Sequence, residues 1–410
     1  MSEHFDVVIV GGGIGGGALA TNLARAGRSV LVLEKSTVYR DHVRGEWMAP
    51  WGVVELKTLG LYDAVRAAGG HHLSRHVLSD ADLSAEMAAF TSLPLDKLLP
   101  DIPGPLCYGH PALCQLLIEH AAAAGALVRR GATDARIELD GTPAVQYVHD
   151  GEVTRATCRL IVGADGRGSA VRRQAGIELH RDPTHHLFAG MLVEGADGWP
   201  DTVQTIGSED DVHFLVFPQG RGRIRLYLGY ATEQAQRLTG AGGPRAFLDA
   251  FRLRCLKGAE HIWNARPAGP CNSYPNEDTW TDAIARPGVV LIGDAAGSND
   301  PIIGQGLSIT LRDVRLVRDA LLGEREWSPE IFAAYAAERR ERMRRLRFSA
   351  SVMSTLHNEF GAAAEARRQR VHERQMQDPM LSMPLIATMI GPDSLPAEVF
   401  EETTRARLFD

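Results

Sequence analysis

Three short glycine-rich stretches, two of them with aspartate, hold the residues best suited to chemistry. Gly11-Gly12-Gly13-Ile14-Gly15-Gly16 is a G-x-G-x-x-G run between an apolar stretch and a helical one. Glycines there let the backbone turn tightly and approach a pyrophosphate, whose charge meets a helix N-terminus. Glu34, with Lys35 beside it, lies 23 residues beyond Gly11 and is placed to bond a ribose hydroxyl. This constellation predicts dinucleotide binding without choosing between NAD and FAD. The second stretch runs from Gly163-Ala164-Asp165-Gly166 to Arg172, and the third from Gly293-Asp294-Ala295-Ala296 to Ser308. Each puts an aspartate and small residues where backbone can pass close to a ligand. Taken singly, either is as readily a structural turn as a ligand loop.

Other candidates are weaker. His213 is a candidate base for a phenol, since a group that ordinarily titrates near neutrality suits that task. The pairs His71-His72 and His185-His186 invite a metal reading, but strand neighbours point apart and no carboxylate partner is indicated, so no metal is expected. Five scattered cysteines include no C-x-x-C, which excludes a zinc or dithiol centre of that kind. Arg339, Arg340, Arg342, Arg344, Arg345 and Arg347 interleave with Glu338 and Glu341 and read as a solvated or salt-bridged helix face.

The turns need strands and helices to present them. Residues 5–10 and 29–34 read as buried parallel strands. Between them, residues 14–26 have helical spacing with Ile14, Ala18, Leu19 and Leu23 on one side, completing a βαβ unit. The apolar runs at 159–164 and 288–293 repeat the buried-strand pattern ahead of the second and third turns. Helical spacing recurs at 50–68, at 111–124 and, as one long helix, at 329–375. Candidate strands near 187–194, 202–207, 211–217 and 222–229 alternate and are joined by turn residues, which predicts an antiparallel sheet. Residues 71–106 lack a clear period and read as an insertion. The expected class is α/β. A discontinuous Rossmann-like domain would comprise residues 1–70, 107–176 and 284–328. A mainly antiparallel substrate domain would comprise 71–106 and 177–283, and a helical C-terminal region 329–410.

Composition narrows the function classes. With 410 residues, 44% hydrophobic and 23% charged, the chain falls in the globular range and suffices for two or three domains. A formal charge of -7 speaks against a nucleic-acid partner. No run of ~18 apolar residues predicts a membrane span. The first ten residues lack a basic stretch followed by an apolar one, and the cysteine usage suits a reducing compartment, so a cytoplasmic location is expected. Oligomeric state is left open.

In this order, G-x-G-x-x-G, A-D-G-x-x-S-x-V-R and G-D-A-A…P…G-Q-G-L resemble the motifs of FAD-dependent aromatic hydroxylases of the p-hydroxybenzoate hydroxylase fold. The likeness runs from residue 5 to about 320, some three quarters of the chain. It implies that Gly11, Gly13, Ile14, Gly15 and Gly16 hold the FAD pyrophosphate and Glu34 the adenosine ribose. Arg44 matches the family's arginine near the pyrophosphate and ribityl chain. His110 stands where the family has Arg or Gln on the cofactor. Asp165 belongs to a motif serving both FAD and the passing nicotinamide, and Asp294 would accept from a ribityl hydroxyl. Gly304, Gln305, Gly306, Leu307 and Ser308 open a helix whose amides would face the flavin pyrimidine edge, where negative charge develops on reduction. Pro301 would line the ring beside the substrate. Gly297 replaces a frequent His and Ser308 a frequent Asn, and neither change removes a backbone donor.

The resemblance further implies a monooxygenase. NADH or NADPH would bind transiently, because no second G-x-G-x-x-G unit is evident, and reduce FAD. O₂ would then add at flavin C4a, and the hydroperoxide would pass one oxygen to a small aromatic or polycyclic substrate by hydroxylation or epoxidation. The protein's part is to orient the substrate and exclude water. Period 2 offers the apolar sheet face with Phe214, Val216 and Leu226 as substrate wall, joined by Trp47, Pro301 and Ile302. Leu385, Ile386 and Met389 are candidate caps. Two other readings stand beside this one: an FAD-dependent reductase of the geranylgeranyl reductase type, and a non-enzymatic binding protein on the same fold.

Overall fold

The structure, a computed structural model, describes residues 3–43, 45–81, 83, 88 and 92–410. The first apolar run forms the strand Glu3–Val10, whose last four residues are buried. It pairs in parallel with Glu152–Gly163 on one side and Val30–Glu34 on the other. Val289–Leu291 and Leu127–Arg130 extend the sheet in parallel at either side, and Ala285–Arg286 closes one edge antiparallel. Strands this continuously apolar need cover on both faces. The helix Ile14–Arg25 packs on both His110–Ala123 and Gly306–Gly323, and their apolar residues share one core with the strands.

This topology decides where the chemistry gathers. Val289–Leu291, Glu152–Gly163 and Glu3–Val10 are consecutive neighbours and run the same way. Each is followed directly by one of the three glycine-rich turns. All three turns therefore emerge at the same end of the sheet, the end where parallel α/β sheets place ligands.

The second sheet orders Arg266–Pro267, His186–Glu194, Arg223–Tyr230, Val212–Gly220, Val203–Glu209, Arg75–Leu78 and Leu93–Pro94, with Asn272–Asn276 also paired to His186–Glu194. It is antiparallel except for one parallel pair, Val203–Glu209 with Arg75–Leu78. Arg75–Leu78 and Leu93–Pro94 are thus the two outermost strands on one side, with Leu93–Pro94 at the edge. One face packs over Phe247, Phe251 and Ile262 to make a separate core.

Two helical expectations are corrected. The stretch 329–375 is not one helix but Ala333–His357 and Ala362–Gln377. Between them Gly361 takes φ +92°, a region that glycine enters cheaply and that breaks the helical hydrogen-bond ladder. Likewise 50–68 divides into Pro50–Thr58 and Tyr62–Ala67. Among the described residues, no helix is long and apolar enough to cross a membrane.

Candidate active site

Close backbone packing brings the turns together. A Cβ added to Gly11, which takes φ +106°, would lie 2.3 Å from the Ala164 carbonyl oxygen, so the first and second turns touch. One added to Gly15 would lie 2.9 Å from Thr310 Cγ2, on the helix that the third turn opens. A Cβ on Gly13, Gly166 or Gly306 would meet nothing within 4 Å, and all three line one cavity of about 690 Å³. Bare backbone at a helix N-terminus fits a pyrophosphate. Arg167 and Asp294 add a guanidinium and a carboxylate 3.5 Å apart at the same cavity. These groups fit FAD.

The motif residues divide between lining the cavity and shaping it. Gly13, Ile14, Gly15, His110, Asp294, Pro301, Ile302, Gly304, Gln305, Gly306 and Leu307 lie in its wall. Gly11 and Gly16 instead pack on backbone, the Gly16 position being 1.9 Å from the Gly11 oxygen for any added Cβ. Glu34 accepts the Gly12 amide hydrogen at 2.7 Å through Oε2 and the Ser36 amide at 2.7 Å through Oε1, which fixes the first turn. Lys35 is exposed. Ser308 is buried under Gly52. Arg44 lies outside the described residues. Asp165 turns its carboxylate away from the cavity, onto the amides of Ala170 at 2.7 Å and Val171 at 3.1 Å and the Ser169 hydroxyl. It anchors the short helix behind its turn.

The third turn is held from below by residues that read as surface in the sequence. Arg339 Nη1 donates to the Ala296 carbonyl at 3.0 Å, and Nη2 to the carbonyls of Gly293 at 3.2 Å and Gly297 at 2.9 Å. Its Nε and the Gly293 amide both donate to Asp313 Oδ2. Arg342 meets Asp313 Oδ1 at 2.7 Å. Burial raises the Asp313 carboxyl, but the two guanidinia outweigh it and hold the group below the usual carboxylate range. The expectation of a solvated face is corrected for Arg339 and Arg342, both buried. Arg344 and Arg345 do pair with Glu341.

The far wall is the second sheet, which presents the face opposite to the one expected. Phe188, Ile206, Leu215, Phe217 and Tyr227 line the cavity with Trp47. Phe214, Val216 and Leu226 lie in the core behind the sheet, where Phe214 meets Phe251 edge-on. The wholly apolar face is the one that packs dry against helices, whereas a ligand wall mixes aromatic and polar groups. Trp47 stands 5.8 Å from Phe217 between ring centroids, and its Nε1 donates to Gln204 Oε1 at 2.8 Å. From the tail, Thr388 and Met389 reach the wall, while Leu385 packs with Val352 and Leu356 instead.

His213 is corrected as a candidate base. Its ring is fully buried, its Nδ1 meets the Gly207 carbonyl at 2.9 Å, and it stacks on His357 at 4.9 Å. Burial, aided by His357, holds the imidazole well below its ordinary value and therefore neutral. A carboxyl that sequence reading passed over does border the cavity: Asp300, 2% exposed and directly before Pro301. No periodic or spacing signal marks it.

Comparison with known proteins agrees with this geometry. The FAD binding domain family matches residues 4–349. Squalene monooxygenase SE1 of Panax ginseng is 27% identical over 330 residues, covering 77% of this chain and 58% of that protein, so the chain spans little more than half the length of such relatives. The 6-methylpretetramide 4-monooxygenase of Streptomyces rimosus is 28% identical over 401 residues, covering 88% of this chain and 87% of that one. The crystal structure of p-nitrophenol 4-monooxygenase from Pseudomonas putida has the same fold, with TM-score 0.76 and 20% identity over 100% of this chain and 99% of the other. Matched over residues 4–349, the chain belongs to the FAD binding domain family, and FAD is its cofactor.

Proposed function

We propose that the chain uses NADH or NADPH and O₂ to hydroxylate or epoxidise a small aromatic or polycyclic compound. One observation carries this reading: a single cavity joins the bare glycine backbone to the aromatic wall of Trp47, Phe188, Phe217 and Tyr227. When bound, FAD supplies the electron transfer and oxygen activation that no side chain offers. Gly13 and Gly166 give it backbone without obstruction, and Gln305, Gly306 and Leu307 give it a helix N-terminus suited to developing negative charge. The aromatic wall orients a flat apolar substrate, and Thr388 and Met389 restrict water from above. Relatives named for acting on 6-methylpretetramide and on squalene support oxygenation of an extended carbon skeleton.

Turnover of an aromatic panel with NADPH or NADH under ¹⁸O₂ tests the proposal. The expected product gains one labelled oxygen. A product formed with no label, but with added hydrogen, would establish a reductase instead.

A further inference from the structure

Of the carboxyls that line the cavity, Asp294 stands beside Arg167 and Glu46 is paired with the buried Arg225, whereas Asp300 has no cation at hydrogen-bonding distance among the described residues. Asp300 borders the pocket yet is almost wholly shielded from solvent. Its Oδ1 accepts the Ile302 amide hydrogen at 2.9 Å. The nearest imidazole, Nε2 of His186, lies 3.7 Å away and itself takes a hydrogen bond from Asn276 Nδ2 at 2.8 Å. Burial holds His186 down at about 3, so it faces Asp300 as a neutral ring rather than as a counter-ion. The other charged groups nearby are Asp278, whose Oδ1 accepts the Asp300 amide at 2.8 Å, and Arg167 across the pocket. Arg347 and Asp182 act on Asp278. The Asn276 side chain also hydrogen-bonds the Asp300 carboxyl, while two further buried acceptors, Asn276 Oδ1 and Asn299 Oδ1, find no donor among the described residues. The cluster is thus rich in acceptors and poor in cations.

We propose that Asp300 is a catalytic proton acceptor for the bound substrate, and that the substrate class is an aromatic compound carrying an acidic hydroxyl. The O–H bond of that hydroxyl breaks and its proton passes to a carboxylate oxygen of Asp300. The electron pair stays on the substrate oxygen and makes the ring more electron-rich toward oxygen attack. Oxygen transfer forms a C–O bond at a ring carbon, whose hydrogen leaves as one of the protons of the water made from the second oxygen atom. The proton held by Asp300 then returns to the substrate oxygen and the carboxylate is restored, with O₂ and NAD(P)H the only oxidant and reductant. Burial, with Asp278 adding like charge, raises the carboxyl to about 7, where acceptance and return are both feasible at neutral pH.

This deepens the monooxygenase reading and rests on it, but its test does not. Isothermal titration calorimetry of the FAD-loaded protein with 1-naphthol, and with its methyl ether as control, is run from about pH 5 to about pH 9. Naphthol stays un-ionised over most of that range, and its hydrogen bond to a carboxylate is stronger than to a carboxylic acid. Expected is a tightening of naphthol binding of about tenfold or more as pH rises through about 7, with the ether flat. Asp300→Asn, which keeps an acceptor for the Ile302 amide, should abolish the step. Asp278→Asn should retain the step but move it to lower pH. A flat naphthol profile, naphthol failing to bind, or a step that persists in Asp300→Asn would overturn the assignment. A pH step without ¹⁸O incorporation would leave Asp300 in place and remove the monooxygenase reading; incorporation without the step would do the reverse.

Discussion

Gly293 and Arg339 share a single acceptor atom: the Gly293 amide nitrogen lies 2.9 Å, and Arg339 Nε 3.0 Å, from Asp313 Oδ2. The loop carrying Asp294 is thereby tied to the long helix through a fully buried carboxylate. Arg339→Met would strand part of that charge and release three carbonyls. Breaking a buried pair from one side typically removes about 3–5 kcal/mol. The expected outcome is a marked fall in Tm together with weaker flavin retention, read from visible absorbance after gel filtration. Arg340→Met, on the exposed side of the same run, should stay within about 0.5 kcal/mol of the parent.

The glycines of the first turn separate binding from folding. Gly13 has φ -72°, which suits alanine, and an added Cβ meets no protein atom. Gly13→Ala should leave the stability of the flavin-free protein within about 0.5 kcal/mol while weakening FAD binding about tenfold or more, because the methyl group occupies the cofactor's approach. Gly16→Ala puts a carbon 1.9 Å from the Gly11 oxygen and should destabilise the fold itself, by about 3 kcal/mol or more. Equal effects of the two substitutions on Tm would contradict the geometry.

The three turns were readable because each is a local signal: an apolar strand, then glycine, then a helix. Their convergence follows from strand order, which the resemblance supplied. The supports were not readable. Asp313 and Arg339 are 26 residues apart, and a run of arginines alternating with glutamates looks the same in sequence whether it faces water or a buried carboxylate. Period 2 likewise divides Phe214 from Phe217 without saying which face borders the cavity. Asp165 stands in its motif for a structural reason, as an anchor of the following helix, which spacing does not reveal.

The two faces of the strand Val212–Gly220 give a paired test. Phe214→Ala empties a site in the core behind the sheet and should remove about 3–5 kcal/mol of stability with little change in substrate KM. Phe217→Ala opens the cavity wall beside Trp47. It should raise KM and increase the peroxide released per NAD(P)H oxidised, since a loosely held substrate leaves water nearer the reacting centre. If Phe214→Ala raised KM and Phe217→Ala did not, the faces would be assigned the wrong way round.

Asp300 also leaves a signature in stability that is independent of any substrate. Its carboxyl titrates at about 7 in the fold against 3.8 for an unperturbed aspartate, and burial is the principal cause. The folded protein therefore holds a proton that the unfolded chain has already released. The stability that this proton provides is complete below about pH 4 and drains away as pH rises through about 7, at about 1.4 kcal/mol per pH unit between the two values. Asn keeps the size and the acceptor oxygen but never ionises. Asp300→Asn should accordingly match the parent near pH 4, gain on it steadily up to about pH 7, and hold a constant advantage above that. Tm measured across this range decides the matter: an advantage that does not vary with pH, or one that grows toward acid, would mean that Asp300 is already ionised in the folded protein at neutral pH.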